Sequence, residues 1–301
     1  MAEDSSPKVL SIQSHVVHGY VGNRSAVFPL QLLGFEVDFI NSVQLCTHTQ
    51  YKKVTGQILK EQDLSDLFQG LKENGLDKYD YLLTGYVGSP SFLKEIVAVY
   101  KHLKSVNPNI VFVCDPVMGD NGEFYVPEEL VPLYREQVVP HAHILTPNQF
   151  ELESLTNMTI NNVEDCWEAI EKLHLKGCKT VVVSSSDLGG NGHLLALAST
   201  KMGESCQRVT ITLEKKQAIF VGTGDIFAAL MLAWMHKSNN NLKESLEKTI
   251  ASLQATLERT LRSAEGKPHT PENLELKLIQ SKRDIEEPKV TLFANCTRKS
   301  S

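Results

Sequence analysis

Gly222-Thr223-Gly224-Asp225 is the stretch whose residue types and spacing most directly suggest chemistry. Two glycines allow positive φ and close approach of a ligand to the backbone. The apolar run Ala218 to Val221 before them predicts a buried strand, and the all-apolar run Ile226 to Trp234 after them predicts a buried helix. A helix start offers unpartnered N–H groups and the positive end of the dipole, which together suit an anion such as phosphate. A carboxylate at that place conflicts with an anion unless Asp225 takes a proton from a hydroxyl while the amides of Gly222 and Gly224 hold a transferring phosphoryl group. The plainer alternative is that Asp225 only caps the buried helix.

Further polar residues fall directly after hydrophobic runs. Asp115 and Asp120 are two carboxylates five positions apart, suited to a hydrated Mg²⁺ beside nucleotide phosphates, or else to capping a loop. Thr146-Pro147-Asn148-Gln149-Phe150-Glu151 opens a helix. Asn148 and Glu151 either reach phosphates and the metal shell or form a capping box. Ser184 and Ser185 either donate to phosphate oxygens or end a strand. His15, His18, His48, His141 and His143 lack metal-ligand spacing on a shared helix face, which favours structural or surface roles.

The elements that must position these groups alternate between strand and helix. Strands are predicted at 9–12, 37–41, 81–84, 110–114, 144–145 and 180–183. Helices are predicted from Asn23 as N-cap to Leu33, around 64–71, from Ser89-Pro90 to Leu103, over 128–138, over 164–175 and over 242–262. Segments 53–59, 193–198 and 209–213 suit edge or lid strands. Asn191-Gly192 suits a hairpin turn. A last helix over 274–281 and a closing strand over 290–293 complete the pattern. No linker rich in Pro, Gly or Ser divides the chain. The fold class expected is one three-layer α/β/α domain over 1–301 around a mainly parallel sheet, with 1–7 and 297–301 as flexible ends. Ligands of open α/β sheets lie at the carboxyl ends of strands, where Ser14, Asp115, Thr146 to Asn148, Ser184-Ser185 and the 222–225 loop converge.

Composition is that of a globular protein: 42% hydrophobic and 22% charged residues, with a net charge of −6. No basic run stands out for nucleic acid, and no run approaches the ~18 apolar residues of a membrane span. The polar, acidic start reads as lacking a signal peptide, and six scattered cysteines read as reduced thiols of a cytoplasmic protein. The sequons at Asn157 and Asn295 read as chance matches.

Taken together, Gly222 to Asp225, Thr146 to Glu151 and Cys114-Asp115-Pro116-Val117-Met118-Gly119-Asp120 resemble the ribokinase-like (PfkB-related) kinases. Leu10 to Val16, Gly19 to Asn23, Leu83-Thr84-Gly85-Tyr86 and Gln280 to Ile285 narrow the resemblance to the animal-type pyridoxal kinase family, over roughly residues 8–290. The resemblance implies ATP-dependent phosphorylation of the 5′-hydroxyl of pyridoxal, pyridoxine and pyridoxamine in vitamin B6 salvage. Carried over by position, Asp225 is the base, and Gly222 and Gly224 form the anion hole. Ser14, Thr49 and Tyr86 contact the vitamer. Asp115, Asn148, Glu151, Ser184, Ser185, Thr223, Gly224 and Leu257 serve ATP, with Leu257 at the adenine. Asp120 holds Mg²⁺ (or Zn²⁺), and Asp115, Thr146 and Ser184 hold a monovalent cation, K⁺ or Na⁺. The family implies a cytoplasmic homodimer with small-molecule partners and no nucleic acid or membrane partner. Gln50 stands where animal members carry Gly, Ser184 replaces Thr, the 120–125 loop is short, and 213–217 matches poorly. A kinase for another small alcohol, such as hydroxymethylpyrimidine or a sugar, and a non-catalytic vitamin-binding homologue are the competing readings. A dinucleotide-dependent dehydrogenase is disfavoured because the first strand's loop lacks Gly-x-Gly-x-x-Gly.

Overall fold

The structure, a computed structural model, describes residues 6–300. Its elements run β1 Lys8–Val16, α1 Asn23–Leu32, β2 Glu36–Leu45, β3 Gly56–Ile58, α2 Glu61–Glu73, β4 Tyr81–Thr84, α3 Pro90–Val106, β5 Val111–Cys114, β6 Gly119–Asp120, β7 Glu123–Phe124 and α4 Leu130–Leu133. There follow β8 Ile144–Leu145, α5 Gln149–Thr156, α6 Val163–Leu175, β9 Thr180–Val183, β10 His193–Met202, β11 Ser205–Glu214, α7 Thr223–Lys237, α8 Leu242–Ser263, α9 Lys282–Glu286 and β12 Asn295–Ser300.

One sheet of ten strands takes the order β12-β11-β10-β9-β8-β5-β4-β1-β2-β3, and β6-β7 form a separate hairpin. The six strands from β2 through β1, β4, β5 and β8 to β9 are parallel. Both ends of the sheet continue antiparallel. Side chains on the central strands alternate between two cores, as a two-residue period requires. Leu10 and Ile12 of β1, Phe112 and Cys114 of β5, and Val181 and Val183 of β9 face the core made with α2 to α6. Val9, Val113 and Val182 face the core made with α1, α7, α8 and α9. The central strands are apolar on both sides because both sides are covered. Among the described residues no helix is long and apolar enough to cross a membrane.

Several local expectations are corrected. Ala218 to Val221 is a loop rather than a strand; Ile219 is 73% exposed, and four apolar residues with no neighbouring strand to pair with do not form one. Asn23 is the first residue of α1 rather than its cap. Its amide is drawn sideways, donating to the Ile40 carbonyl at 3.0 Å and to Asn41 Oδ1 at 2.9 Å. The 128–138 helix is α4 followed by a π-turn over Tyr134–Val138. Pro132 cannot donate, and the next turn widens so that Val139 N–H reaches back to the Tyr134 carbonyl. Asn191-Gly192 is left-handed but only leads into β10; the turn of the β10–β11 hairpin is Gly203-Glu204. The 274–281 helix shrinks to a 3₁₀ turn at Ile279–Ser281 leading into α9. The closing strand is β12 on the edge of β11, not 290–293, where Phe293 points to solvent. Thr297 to Ser300, expected to be frayed, therefore belong to the sheet, while 1–5 and 301 lie outside the described residues.

Candidate active site

The carboxyl ends of β1, β4, β5, β8 and β9 lie side by side in the sheet and bring Ser14, Tyr86, Asp115, Thr146 and Ser184 to one rim. Helix α7 runs through the core beneath them, its apolar stretch Ile226 to Met235 all buried. It begins at Gly222, whose φ of +84° is left-handed. A Cβ on Gly222 would overlap the Tyr20 carbonyl oxygen and sit 2.9 Å from Ser25 Oγ. Glycine is thus required twice here, for backbone conformation and for contact with the β1–α1 loop. Gly22 makes the reciprocal approach: at φ +53° it lies against the carbonyl and hydroxyl oxygens of Ser14. Asp225 sits in the first turn of α7. Burial pushes its carboxyl above the usual range, and the Gly22 amide partly counters this. Ser14, Gly22 and Asp225 are therefore gathered around one point.

Asp115 closes the other side. It is 4% exposed, and its Oδ2 lies 3.4 Å from the place a Cβ would take on Gly224. Burial, and then the like charges of Glu151 and Asp225, push its carboxyl well above the ordinary range. Glu151 is raised to about 8, chiefly by burial, against the pull of the Asn148 and Met118 amides. A buried cluster of carboxylates with elevated pKa values is a site built to receive positive charge.

Asn148 and Glu151 do form the capping box of α5: Glu151 N–H donates to Asn148 Oδ1 at 2.8 Å and Asn148 N–H to Glu151 Oε2 at 2.9 Å. Their remaining atoms hold the segment after β5. Met118 N–H donates to Glu151 Oε1 at 3.0 Å, and Asn148 Nδ2 donates to the Gly119 carbonyl at 2.8 Å. That segment carries the exposed Asp120. The sequence alternatives, cap or site, are thus not exclusive, since the cap itself fixes the loop on which Asp120 stands. Ser184 N–H donates to the Pro147 carbonyl at 3.0 Å, which ties the end of β9 to the end of β8. Ser185 and Thr223 are half-buried near the rim, and Leu257 is buried in the α7–α8 core.

Among the described residues no three His, Cys, Asp or Glu side chains form a ready metal cage. The donors present fit a hard cation shared with phosphate: carboxylate oxygens at Asp115 and Asp120, no thiolate or imidazole, and a buried Thr146 hydroxyl at the Asp115 carboxyl.

Thr49 is exposed on the loop between β2 and β3, next to buried His48 and two positions before Tyr51. Tyr86 is half-buried, with its carbonyl accepting from Ser42 Oγ at 2.7 Å. One residue that organises this side escaped the sequence reading. Glu275, 8% exposed, accepts from Tyr20 N–H at 3.2 Å and Tyr51 Oη at 3.0 Å, and lies 3.1 Å from His48 Nε2. It stands 255 positions from Tyr20. A second unread network underlies β1: Gln13 Nε2 donates to Ser11 Oγ, which donates to Asn23 Oδ1. Ser11 and Gln13, polar yet fully buried among Val9, Leu10 and Ile12, were its only signal.

Comparison with known proteins gives a consistent picture. A family profile described as phosphomethylpyrimidine kinase matches residues 77–272. The pyridoxal kinase of Sus scrofa is 50% identical, with 97% of this chain and 96% of the relative covered. That of Arabidopsis thaliana is 52% identical, with 95% and 94% covered. The structure of pyridoxal kinase from Leishmania donovani in complex with ADP and pyridoxamine superposes with a TM-score of 0.91 at 33% identity, covering 97% of this chain and all of that one.

Proposed function

Since this chain belongs to the pyridoxal kinase family, we propose a division of labour among its rim residues for the reaction that membership entails. The chain is an ATP-dependent kinase of B6 vitamers, transferring the γ-phosphoryl group to the 5′-hydroxyl of pyridoxal, pyridoxine or pyridoxamine.

Asp225 accepts the proton of the attacking hydroxyl. Its place in the first turn of α7, half-buried beside the Gly222 and Gly224 amides, is the single observation that carries this role. Those amides and the α7 dipole steady the charge on the moving phosphoryl group. Ser14 and Thr49 hold the vitamer through polar atoms, and Tyr86 holds it through its ring. Asn148, Glu151, Ser184, Ser185 and Thr223 serve the ATP phosphates, and Leu257 the adenine. A divalent ion, Mg²⁺ or Zn²⁺, neutralises phosphate charge when bound and is held by Asp120 and Asp115. A monovalent ion, K⁺ or Na⁺, is held by Asp115, Thr146 and Ser184. The like-charge crowding at Asp115, Glu151 and Asp225 supports cation placement there. The chain acts as one catalytic unit over 1–301 and, by family resemblance, as a cytoplasmic homodimer. The net charge of −6 supports small-molecule rather than nucleic-acid partners.

ATP consumption coupled to each vitamer, run beside hydroxymethylpyrimidine and a sugar, with and without K⁺, tests the assignment. Turnover with the vitamers and little with the others is expected. Preference for hydroxymethylpyrimidine would shift the reading toward the function named by the family profile.

A further inference from the structure

Glu275 has no part in the chemistry described above, yet it joins three separate stretches of chain. Its own segment is firmly seated. Leu274, Leu276 and Leu278 are buried, and Lys277 N–H donates to Thr260 Oγ1 of α8 at 3.0 Å. From that base the carboxylate reaches the β1–α1 loop through Tyr20 N–H and the β2–β3 loop through Tyr51 and His48. The His48 contact has a defined sense. Gln50 N–H donates to His48 Nδ1 at 3.4 Å, so Nε2 carries the hydrogen and donates to Glu275. The Tyr51 ring packs edge-on against His48, with centroids 4.8 Å apart, and closes the cluster.

Both ends of this cluster touch residues given roles above. Thr49 lies between His48 and Tyr51 in sequence, so the loop that presents it is pinned on both sides by one carboxylate. Tyr20, whose N–H is held by Glu275, places its carbonyl oxygen where Gly222 would carry a Cβ. Glu275 also lies directly against Gly19, leaving no room for a side chain there. A single acidic group thus spans the path from the β2–β3 loop, through Tyr20, to the loop that begins α7 and carries Asp225.

We propose that Glu275 is a positioning residue that couples closure of the β2–β3 loop over the vitamer to placement of the Gly222–Asp225 loop. This rests on the reading that Thr49 faces the vitamer. An acceptor with several lone pairs is needed because three donors converge on it. Burial alone would raise the Glu275 carboxyl, but the His48 and Tyr51 hydrogen bonds bring it below its ordinary value, so the group stays ionised and accepting. Its counterpart, the Tyr51 hydroxyl, is pushed upward by burial and by Glu275, so it stays protonated and donating.

Glu275→Gln tests the coupling, because the amide keeps the shape but turns an NH₂ toward donors. The expected result is a roughly 10–100-fold loss of kcat/KM for pyridoxal, the scale of hydrogen bonds to a charged group. ADP affinity by calorimetry should change by less than about twofold, well below the effect of a single lost hydrogen bond. Trypsin cleavage after the exposed Lys52 and Lys53 should accelerate in the absence of substrates. Tyr51→Phe removes one partner with little risk to folding and should give a roughly 2–10-fold loss of the same kind. The double variant should lose less than the product of the two single losses. Equal losses toward ADP and vitamer, or wild-type vitamer kinetics in Glu275→Gln, would overturn the proposal. Faster cleavage with unchanged vitamer kinetics would show that the loop is anchored by Glu275 but is not a vitamer lid, and would also overturn it. Asp225→Asn separates this from the assignment of the base: it should lower turnover by about 10²–10⁴-fold and leave the cleavage rate alone.

Discussion

Replacing Gly222 by alanine should damage both stability and turnover, and the structure separates the two contributions. Gly222 adopts φ +84°, ψ 4°, a conformation that costs an L-residue about 1–2 kcal/mol. The new methyl would also overlap the Tyr20 carbonyl oxygen, a backbone atom that cannot rotate away as a flexible side chain could. The melting temperature should therefore fall by at least roughly 2–8 °C, taking about 2–4 °C per kcal/mol. Relief of the overlap must shift the loop and with it the amides at the start of α7, so kcat should fall by about 10²–10³-fold, the effect of losing one anion-hole donor. Gly224→Ala is the internal control. Its φ is not left-handed, and the nearest atom to its new methyl is Asp115 Oδ2 at 3.4 Å, an ordinary contact. Its melting temperature should equal or exceed that of the parent, while ATP turnover suffers because the methyl narrows the space between the loop and Asp115. Differential scanning fluorimetry and steady-state kinetics on both variants decide the matter. A Gly222→Ala protein that melts and turns over like the parent, or a Gly224→Ala protein that is the less stable of the two, would refute the reasoning.

Asp115→Asn should melt higher than the parent at neutral pH in the absence of nucleotide. A carboxyl whose pKa is raised by folding contributes stability that is present below its unfolded value, near 3.8, and lost as pH rises through the folded value. The advantage of the neutral variant should therefore shrink as pH falls into the ordinary carboxylate range, which melts across pH will show. The same variant should lose activity, since that charge would face the cation. Asn148→Ala should cost about 1 kcal/mol from the lost α5 cap. It should also raise the KM for ATP, because the Gly119 carbonyl loses its partner and the segment bearing Asp120 loosens; melting and ATP titrations report the two effects.

The central strands were legible because β5 and β9 are continuous apolar runs that only a sheet covered on both faces can bury. The motifs at their ends were legible because each polar group follows its strand directly. The segment before Gly222 misled for the same reason: Ala218 to Val221 has strand composition, but nothing in four residues tells whether a neighbouring strand waits to pair with them. The C-terminal strand was missed in the opposite way, since Asn295 to Ser300 is polar and only pairing with β11 makes it a strand. Asn148 and Glu151 could be read as a cap from spacing alone, but their second hydrogen bonds to Met118 and Gly119 cross about 30 positions and leave no local trace. Glu275 is the extreme case, because its three partners, Tyr20, His48 and Tyr51, lie at least 224 positions earlier in the chain. No periodicity connects such residues, and only the folded backbone brings them together.

The central claim is that Asp225 takes the proton of the vitamer hydroxyl. The most direct test is the kcat of Asp225→Asn with pyridoxal, measured alongside nucleotide binding by calorimetry. A loss of about 10²–10⁴-fold, the usual worth of a positioned base, with nucleotide affinity retained, is the predicted result. Turnover at the parent rate would contradict it.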